Sequence, residues 1–254
     1  MTKQIDVAVL PSEIEALPAD CYVVVDVLRA TTTIATLFEN GLTDLIVTGD
    51  LALAREIAAR DSRILCGEVH GLPPEGFDFG NSPCEARDAN VAGRGAVLYT
   101  TNGTPTLCAV AQKGVCFAGA LANISAVAQA VAGYEHVVIV CAGNAGGRRF
   151  AQEDFAVAGS FVRAIMRLDS AADTGDAAAI AMGLTGYDDW LRAGLPQQTA
   201  TSPRLIGGSE HARKTIELGF AADVQFAMQP NTSTAVPIVT ATGDGWARIS
   251  RAGG

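Results

Sequence analysis

An α/β architecture follows from two features of this sequence. Short β-branched runs alternate with helix-periodic segments, and charged or hydroxyl residues cluster where the runs end. Strands are expected at Ile5–Leu10, Tyr22–Leu28, Asp44–Thr48, Ile64–Glu68, Ala96–Thr101, Val115–Ala118 and His136–Cys141. Between them, apolar residues three and four apart predict helices over Thr31–Asn40, Leu51–Arg60, Pro105–Gln112 and Ile124–Val131. Gly41, Gly114 and Gly133 follow three of these helices, where a left-handed C-cap favours glycine. Runs such as VVVDVL and VVIVC are apolar on both faces, so the sheet is expected to be largely parallel, with helices covering both sides.

Beyond Ala151 the alternation weakens. Phe155–Leu168, Asp176–Met182, Asp188–Arg192 and Glu210–Leu218 read as helices, Ala222–Phe226 and Val236–Thr240 as closing strands. Gly194–Gly208 reads as a surface loop. No repeat appears, and a single domain over 1–254 is expected.

The chain carries 18 Lys and Arg against 27 Asp and Glu, a net charge of −9, with 49% hydrophobic residues. That apolar content excludes disorder, and the acidic balance argues against a nucleic-acid or anionic-membrane surface. No apolar run approaches the ~20 residues that span a bilayer, and no export signal is read at the start. The six cysteines lack C-x-x-C spacing and read as free thiols of a cytoplasmic protein. A homodimer is expected on base rates alone.

Ligands of open α/β sheets bind beyond the carboxyl ends of the strands. Four such places carry chemistry. In Asp26-Val-Leu-Arg29-Ala-Thr31-Thr32-Thr33, an acid and an arginine leave an apolar strand, and threonines open a helix whose free N–H groups favour an anion. An internal ion pair with an N-cap would look the same. From Glu68 through His70 to Asp78, Asn81, Ser82 and Pro83 runs a long irregular connection, with Asp78 between two phenylalanines. The alternative is a rigid loop with Asp78 capping its own turn. Thr101-Asn102-Gly103-Thr104-Pro105 is a strand-turn-helix junction and a candidate phosphate nest. Finally, Cys141–Arg149 is rich in glycine and arginine and leads to Glu153-Asp154 at a helix start. Those two acids are ~100° apart on a helix, so only one can face a common ligand. A favourable meeting with the helix dipole is the plainer reading of the pair.

Five acids, Asp26, Glu68, Asp78, Glu153 and Asp154, thus stand at strand ends or helix starts without a histidine or cysteine cluster. Oxygen donors of this kind suit Mg²⁺ or Mn²⁺ rather than zinc. With Arg29, Thr31, Thr32, Asn81, Ser82, Thr101, Asn102, Gly103 and Thr104 as phosphate-binding candidates, they describe a phosphoryl site for a small anionic substrate. Asp26, Arg29 and Asp78 are the catalytic candidates. His70 is read as a loop residue, His136 and His211 as surface residues, Trp190 and Trp246 as packing residues.

These motifs carry a family likeness. Asp26-Val-Leu-Arg-Ala-Thr-Thr-Thr33, Gly76-Phe-Asp-Phe-Gly-Asn-Ser-Pro83, Thr100-Thr-Asn-Gly-Thr104, and Cys141-Ala-Gly143 with Glu153-Asp154 resemble the 2-phosphosulfolactate phosphatase family. The likeness runs in order from about Ile5 to Val239 and includes Leu218-Gly-Phe and Asp223-Val. It implies a three-layer α/β fold and a Mg²⁺-dependent phosphatase converting 2-phospho-3-sulfolactate to 3-sulfolactate. Val69 departs from the Glu-Arg that members often show, and Asn144–Arg149 is also divergent, which bears on sulfonate recognition. Attack by an activated water and formation of an aspartyl-phosphate on Asp26 both remain open. The D-x-D second acid of haloacid-dehalogenase phosphatases is Leu28 here, which favours water. The alternatives are a same-fold phosphatase for another phosphorylated 2-hydroxy acid and a non-catalytic binding protein for an anionic metabolite.

Overall fold

The computed structural model describes residues 2–191 and 203–253. Its first two thirds follow the expected alternation: β1 (Gln4–Ala8), β2 (Cys21–Val25), α1 (Ala30–Glu39), β3 (Asp44–Thr48), α2 (Leu51–Arg60), β4 (Ile64–Gly67), α3 (Pro83–Asp88), β5 (Gly95–Tyr99), α4 (Gly103–Val110), β6 (Val115–Gly119), α5 (Ile124–Val131) and β7 (His136–Cys141). Then come α6 (Gln152–Leu168), β8 (Asp173–Thr174), α7 (Asp176–Leu191), α8 (Pro203–Gly207), α9 (Glu210–Glu217), α10 (Ala221–Ala227), β9 (Pro237–Gly243) and β10 (Trp246–Arg251).

The described strands form one mixed sheet in the order β4-β5-β3-β10-β9-β6-β2-β7-β1-β8. Two groups are internally parallel, β4-β5-β3 and β6-β2-β7-β1-β8. The β9–β10 hairpin lies between them, antiparallel to β3 on one side and to β6 on the other. Following these pairings across the hairpin, β6 runs opposite to β3. An α/β fold with helices on both sheet faces is therefore present, with a C-terminal hairpin joining its two halves.

Helices fill the space on both faces. A central core unites Tyr22, Val24, Val138 and Val140 of one strand group with Leu45, Val47, Cys66 and Leu98 of the other, around Ile34, Leu37 and Phe38 of α1 and Leu107 of α4. A second core packs α5, α6 and α7 against the outer face of β1, β2 and β7. A third, smaller core places α2 over β3, β4 and β5. Fully burying such side chains contributes about 1.5–3 kcal/mol each, and the central core fixes the two strand groups relative to one another.

Several expectations change. Ala222–Phe226 is helical, part of α10: Val224 and Ala227, three apart, both enter the core, and Asp223 is buried on the same helix. Asp176–Met182 and Asp188–Leu191 belong to one helix, α7, while Arg192 lies outside the described residues. Within Gly194–Gly208, residues 203–207 form α8, and 194–202 lie outside the described residues. The strand expected at Val236–Thr240 is β9, and its partner β10 was not foreseen. Asp244-Gly245 between them is the tight hairpin signal that could have revealed it. Gly41 adopts positive φ, but α4 and α5 end on the right-handed Ala111 and Ala132 instead of on glycine caps. All six cysteines are free, and among the described residues no helix is long and apolar enough to cross a membrane.

Candidate active site

The turn after β2 is built by short-range hydrogen bonds. Thr31 Oγ1 donates to the Asp26 carbonyl at 2.9 Å and accepts the Asp26 N–H at 3.1 Å. Thr32 Oγ1 donates to the Val27 carbonyl at 2.8 Å. Asp26 Oδ1 accepts the Ala30 N–H at 3.2 Å. Both threonine hydroxyls are therefore committed to the backbone, which leaves Asp26 and Arg29 as the polar side chains this turn presents, with Leu28, to a cavity.

The turn after β5 sits against it. A Cβ on Gly103 would lie 2.6 Å from both Asp26 Oδ2 and Ala30 Cβ, so only glycine permits this approach. Thr104 Oγ1 donates to the Thr48 carbonyl at 2.7 Å and ties α4 to the end of β3. Thr101 and Asn102 reach the cavity instead. Glu68, just beyond β4, accepts both the N–H and the Oγ1–H of Thr101 on Oε1, each at 2.8 Å, and the Gly71 N–H on Oε2 at 2.7 Å. Asn102 Oδ1 accepts the Gly146 N–H at 2.8 Å, joining the loop after β7.

The neighbouring acids of α6 diverge. Asp154 turns inward: Oδ1 accepts the Val27 N–H at 2.9 Å and Oδ2 the Gly143 N–H at 3.1 Å, splicing the ends of β2 and β7. Glu153 faces the cavity, with Oε1 3.1 Å from His211 Nδ1. Arg29 is held from three sides. Nη1 donates to Asp223 Oδ2 at 2.8 Å, Nη2 to the Gly71 carbonyl at 2.7 Å, and the guanidinium lies 4.2 Å from the Phe220 ring centroid. Ser82 caps α3 through the Glu85 N–H at 3.1 Å and donates to Asp223 Oδ1 at 2.7 Å.

Asp26, Arg29, Glu68, Asn81, Thr101, Asn102 and Glu153 thus line one cavity of about 1030 Å³. Thr31, Thr32, Ser82, Gly103, Thr104 and Asp154 stand behind its wall. Asp78 stands apart. Its exposed side chain accepts the Leu65 N–H at 2.8 Å, at the opposite end of β4 from Glu68, which corrects its expected place at the site. His211, expected on the surface, lines the cavity, as do His70, Asn144, Arg213 and Lys214. Arg149 and Lys214 at the mouth share Glu210, at 3.3 and 2.8 Å. Asp223, to which the sequence assigned no role, anchors the site from behind; reading its segment as a strand hid it.

The electrostatics are those of crowded acids. Burial pushes the Asp26 carboxyl up to about 6, reinforced by Glu68 and Glu153 and opposed by His211 and the Ala30 N–H. Asp154 is raised well above the ordinary range by burial, with Asp26 and Glu153 adding to it. Burial alone would lower His211, but the hydrogen bond and charge of Glu153, together with Asp26, hold the imidazole above its ordinary value. Asn81 Oδ1 is buried in the wall without a protein partner. Among the described residues, no group of three or more His, Cys, Asp or Glu stands ready to hold an ion unaided. The chemistry on offer is a carboxylate-lined pocket with one anchored guanidinium and one imidazole disposed to carry a proton.

The family model for 2-phosphosulpholactate phosphatase matches residues 9–242. A protein of Thermotoga petrophila named probable 2-phosphosulfolactate phosphatase is 34% identical over 235 residues, covering 92% of this chain and 94% of its own. Proteins of the same printed name from Deinococcus radiodurans and Synechococcus sp. are 39% and 40% identical, covering 86% and 83% of this chain and 87% and 85% of theirs. The motif-bearing turns and the family match coincide, and the chain belongs to the 2-phosphosulfolactate phosphatase family, a family of phosphoric monoester hydrolases.

Proposed function

We propose that this chain is a Mg²⁺-dependent phosphatase of the cytoplasm that hydrolyses 2-phospho-3-sulfolactate to 3-sulfolactate and phosphate. The observation that carries the reading is the convergence of Asp26, Glu68 and Glu153 on a cavity whose wall also presents Arg29. Buried carboxylates facing a shared space repel one another, which adds to the burial that raises the Asp26 carboxyl, and would repel an anionic substrate unless a cation intervened. The donor set fits Mg²⁺, which is ordinarily held by one or two carboxylates and completed by water and substrate oxygens. One or two of Asp26, Glu68 and Glu153 would hold it, with water and substrate oxygens completing its shell. When bound, it would offset negative charge and polarise the phosphoryl group.

The chain's own residues supply the rest. Arg29 donates to phosphoryl oxygens with the N–H groups left free by Asp223 and Gly71, stabilising charge on the transferring group. Asn102 positions the substrate from the turn after β5, where Thr101 fixes Glu68. His211, whose protonated form Glu153 favours, donates a proton to the leaving ester oxygen at C2. Water attacks phosphorus as the ester P–O bond breaks, giving the 2-hydroxy acid and phosphate, and the proton released by water restores the imidazolium.

The decisive experiment is phosphate release from a panel of phosphorylated 2-hydroxy acids, with and without a sulfonate, in Mg²⁺ and in excess chelator. The reading expects 2-phospho-3-sulfolactate to have the highest kcat/KM and chelator to abolish turnover. Full activity in chelator sinks the metal assignment. Preference for a substrate lacking the sulfonate selects another phosphorylated 2-hydroxy acid, and no hydrolysis of any member selects a binding protein.

A further inference from the structure

The geometry points to Asp223 as a positioning residue that sets the guanidinium of Arg29 for the phosphoryl group, an inference that rests on the phosphatase reading. Asp223 arrives from α10, 194 positions beyond Arg29, and is buried with only 2% of its side chain exposed. Oδ2 takes Arg29 Nη1 at 2.8 Å. Oδ1 takes Ser82 Oγ at 2.7 Å and the Cys84 N–H at 3.4 Å. One carboxylate therefore holds two parts of the cavity wall: Arg29 directly, and Asn81 through the backbone of its neighbour Ser82.

Arginine has five N–H donors in a rigid plane. One on each terminal nitrogen is taken, by Asp223 and by the Gly71 carbonyl, and Phe220 covers the face of the plane. These contacts fix both the tilt and the rotation of the fork, which a flexible arginine side chain would otherwise lose entropy to adopt on binding. The remaining donors are then directed before the substrate arrives. The same ion pair also neutralises a buried cation, a purely structural role that any buried Arg–Asp pair could fill. The two roles differ in what they predict for ligand binding.

A double-mutant cycle on phosphate binding separates them. Inorganic phosphate is titrated by calorimetry, in saturating Mg²⁺, into the wild-type protein, Asp223→Asn, Arg29→Gln and the double variant, with kcat and KM measured alongside. Asparagine keeps the shape and an acceptor but loses the charge that fixes the fork. Positioning expects phosphate affinity to fall roughly tenfold to hundredfold in Asp223→Asn, the usual worth of a hydrogen bond to a charged group. It expects no further fall when Arg29 is already glutamine. An equal loss in both backgrounds, or wild-type affinity in Asp223→Asn, overturns the inference. Should Asp223→Asn not fold, Phe220→Leu loosens the same guanidinium from its other contact and is held to the same outcomes. If the wild type binds phosphate yet hydrolyses no phosphorylated hydroxy acid, the enzyme reading fails while the cycle still decides how Arg29 is held.

Discussion

His211 Nδ1 lies 3.1 Å from Glu153 Oε1, joining α9 to the first turn of α6 across 58 positions of sequence. The carboxylate orients the ring and favours its protonated form, leaving Nε2 as the second ring nitrogen for chemistry. His211→Asn is expected to lower kcat by about 10²- to 10⁴-fold, the usual worth of a positioned general acid, with little change in thermal midpoint. Steady-state phosphate release against pH checks it. The alkaline limb of the wild-type profile should vanish in the variant, and a variant retaining that limb would remove His211 from the proton transfer.

Asp26→Asn should abolish turnover and, in chelator, raise the thermal midpoint. The sign follows from the Asp26 carboxyl, raised in the folded protein to about 6 from 3.8. Between those values the folded chain holds a proton that the unfolded chain has released, so ionising Asp26 disfavours folding progressively, and fully above about pH 6. The stabilisation of the variant is therefore expected to be complete at pH 7.5 and to shrink towards zero near pH 4. Unfolding scans at both values test it; a gain that grows as pH falls contradicts the assignment.

Glu68→Gln is expected to do the opposite to stability. Its two oxygens accept three hydrogen bonds, from Thr101 N–H, Thr101 Oγ1 and Gly71 N–H. An amide NH₂ must face at least one of those backbone donors, leaving it unsatisfied at a cost of about 1–3 kcal/mol. The midpoint should fall by several degrees together with activity, as differential scanning calorimetry and phosphate release would show.

Gly103→Ala brings a methyl to within 2.6 Å of Asp26 Oδ2 and Ala30 Cβ. Overpacking of this kind costs about 1–3 kcal/mol. Because the clash falls on a cavity carboxylate, kcat/KM should drop by more than the stability loss alone explains at temperatures well below the midpoint. Undiminished turnover in a correctly folded variant would show that the two turns can separate without harm.

Asp78→Asn should retain turnover within about twofold, since Asp78 holds the Leu65 N–H away from the cavity and an asparagine oxygen can replace it. A large loss in kcat with an unchanged thermal midpoint would return Asp78 to the site.

Much of this was legible in single segments. The β-branched runs and their periodic partners identify the strands and, except for the short α3, the α-helices up to Cys141 because each signal is local. Asp26, Glu68 and Glu153 stand out as acids beyond apolar strands or at a helix start, and of the five candidate acids Asp78 alone lies apart from the site, its loop having folded back on the start of β4. The 100° offset between Glu153 and Asp154 likewise foretells that one faces the cavity and the other does not. What tertiary structure alone decided came from the C-terminal third. His211 and Asp223 reach the site through α9 and α10, whose short apolar stripes carry no mark of what lies opposite. The β9–β10 hairpin inserts between β3 and β6, strands formed far earlier in the chain. Pairings of such sequence separation depend on which buried surfaces complement one another after folding, and no local propensity encodes them.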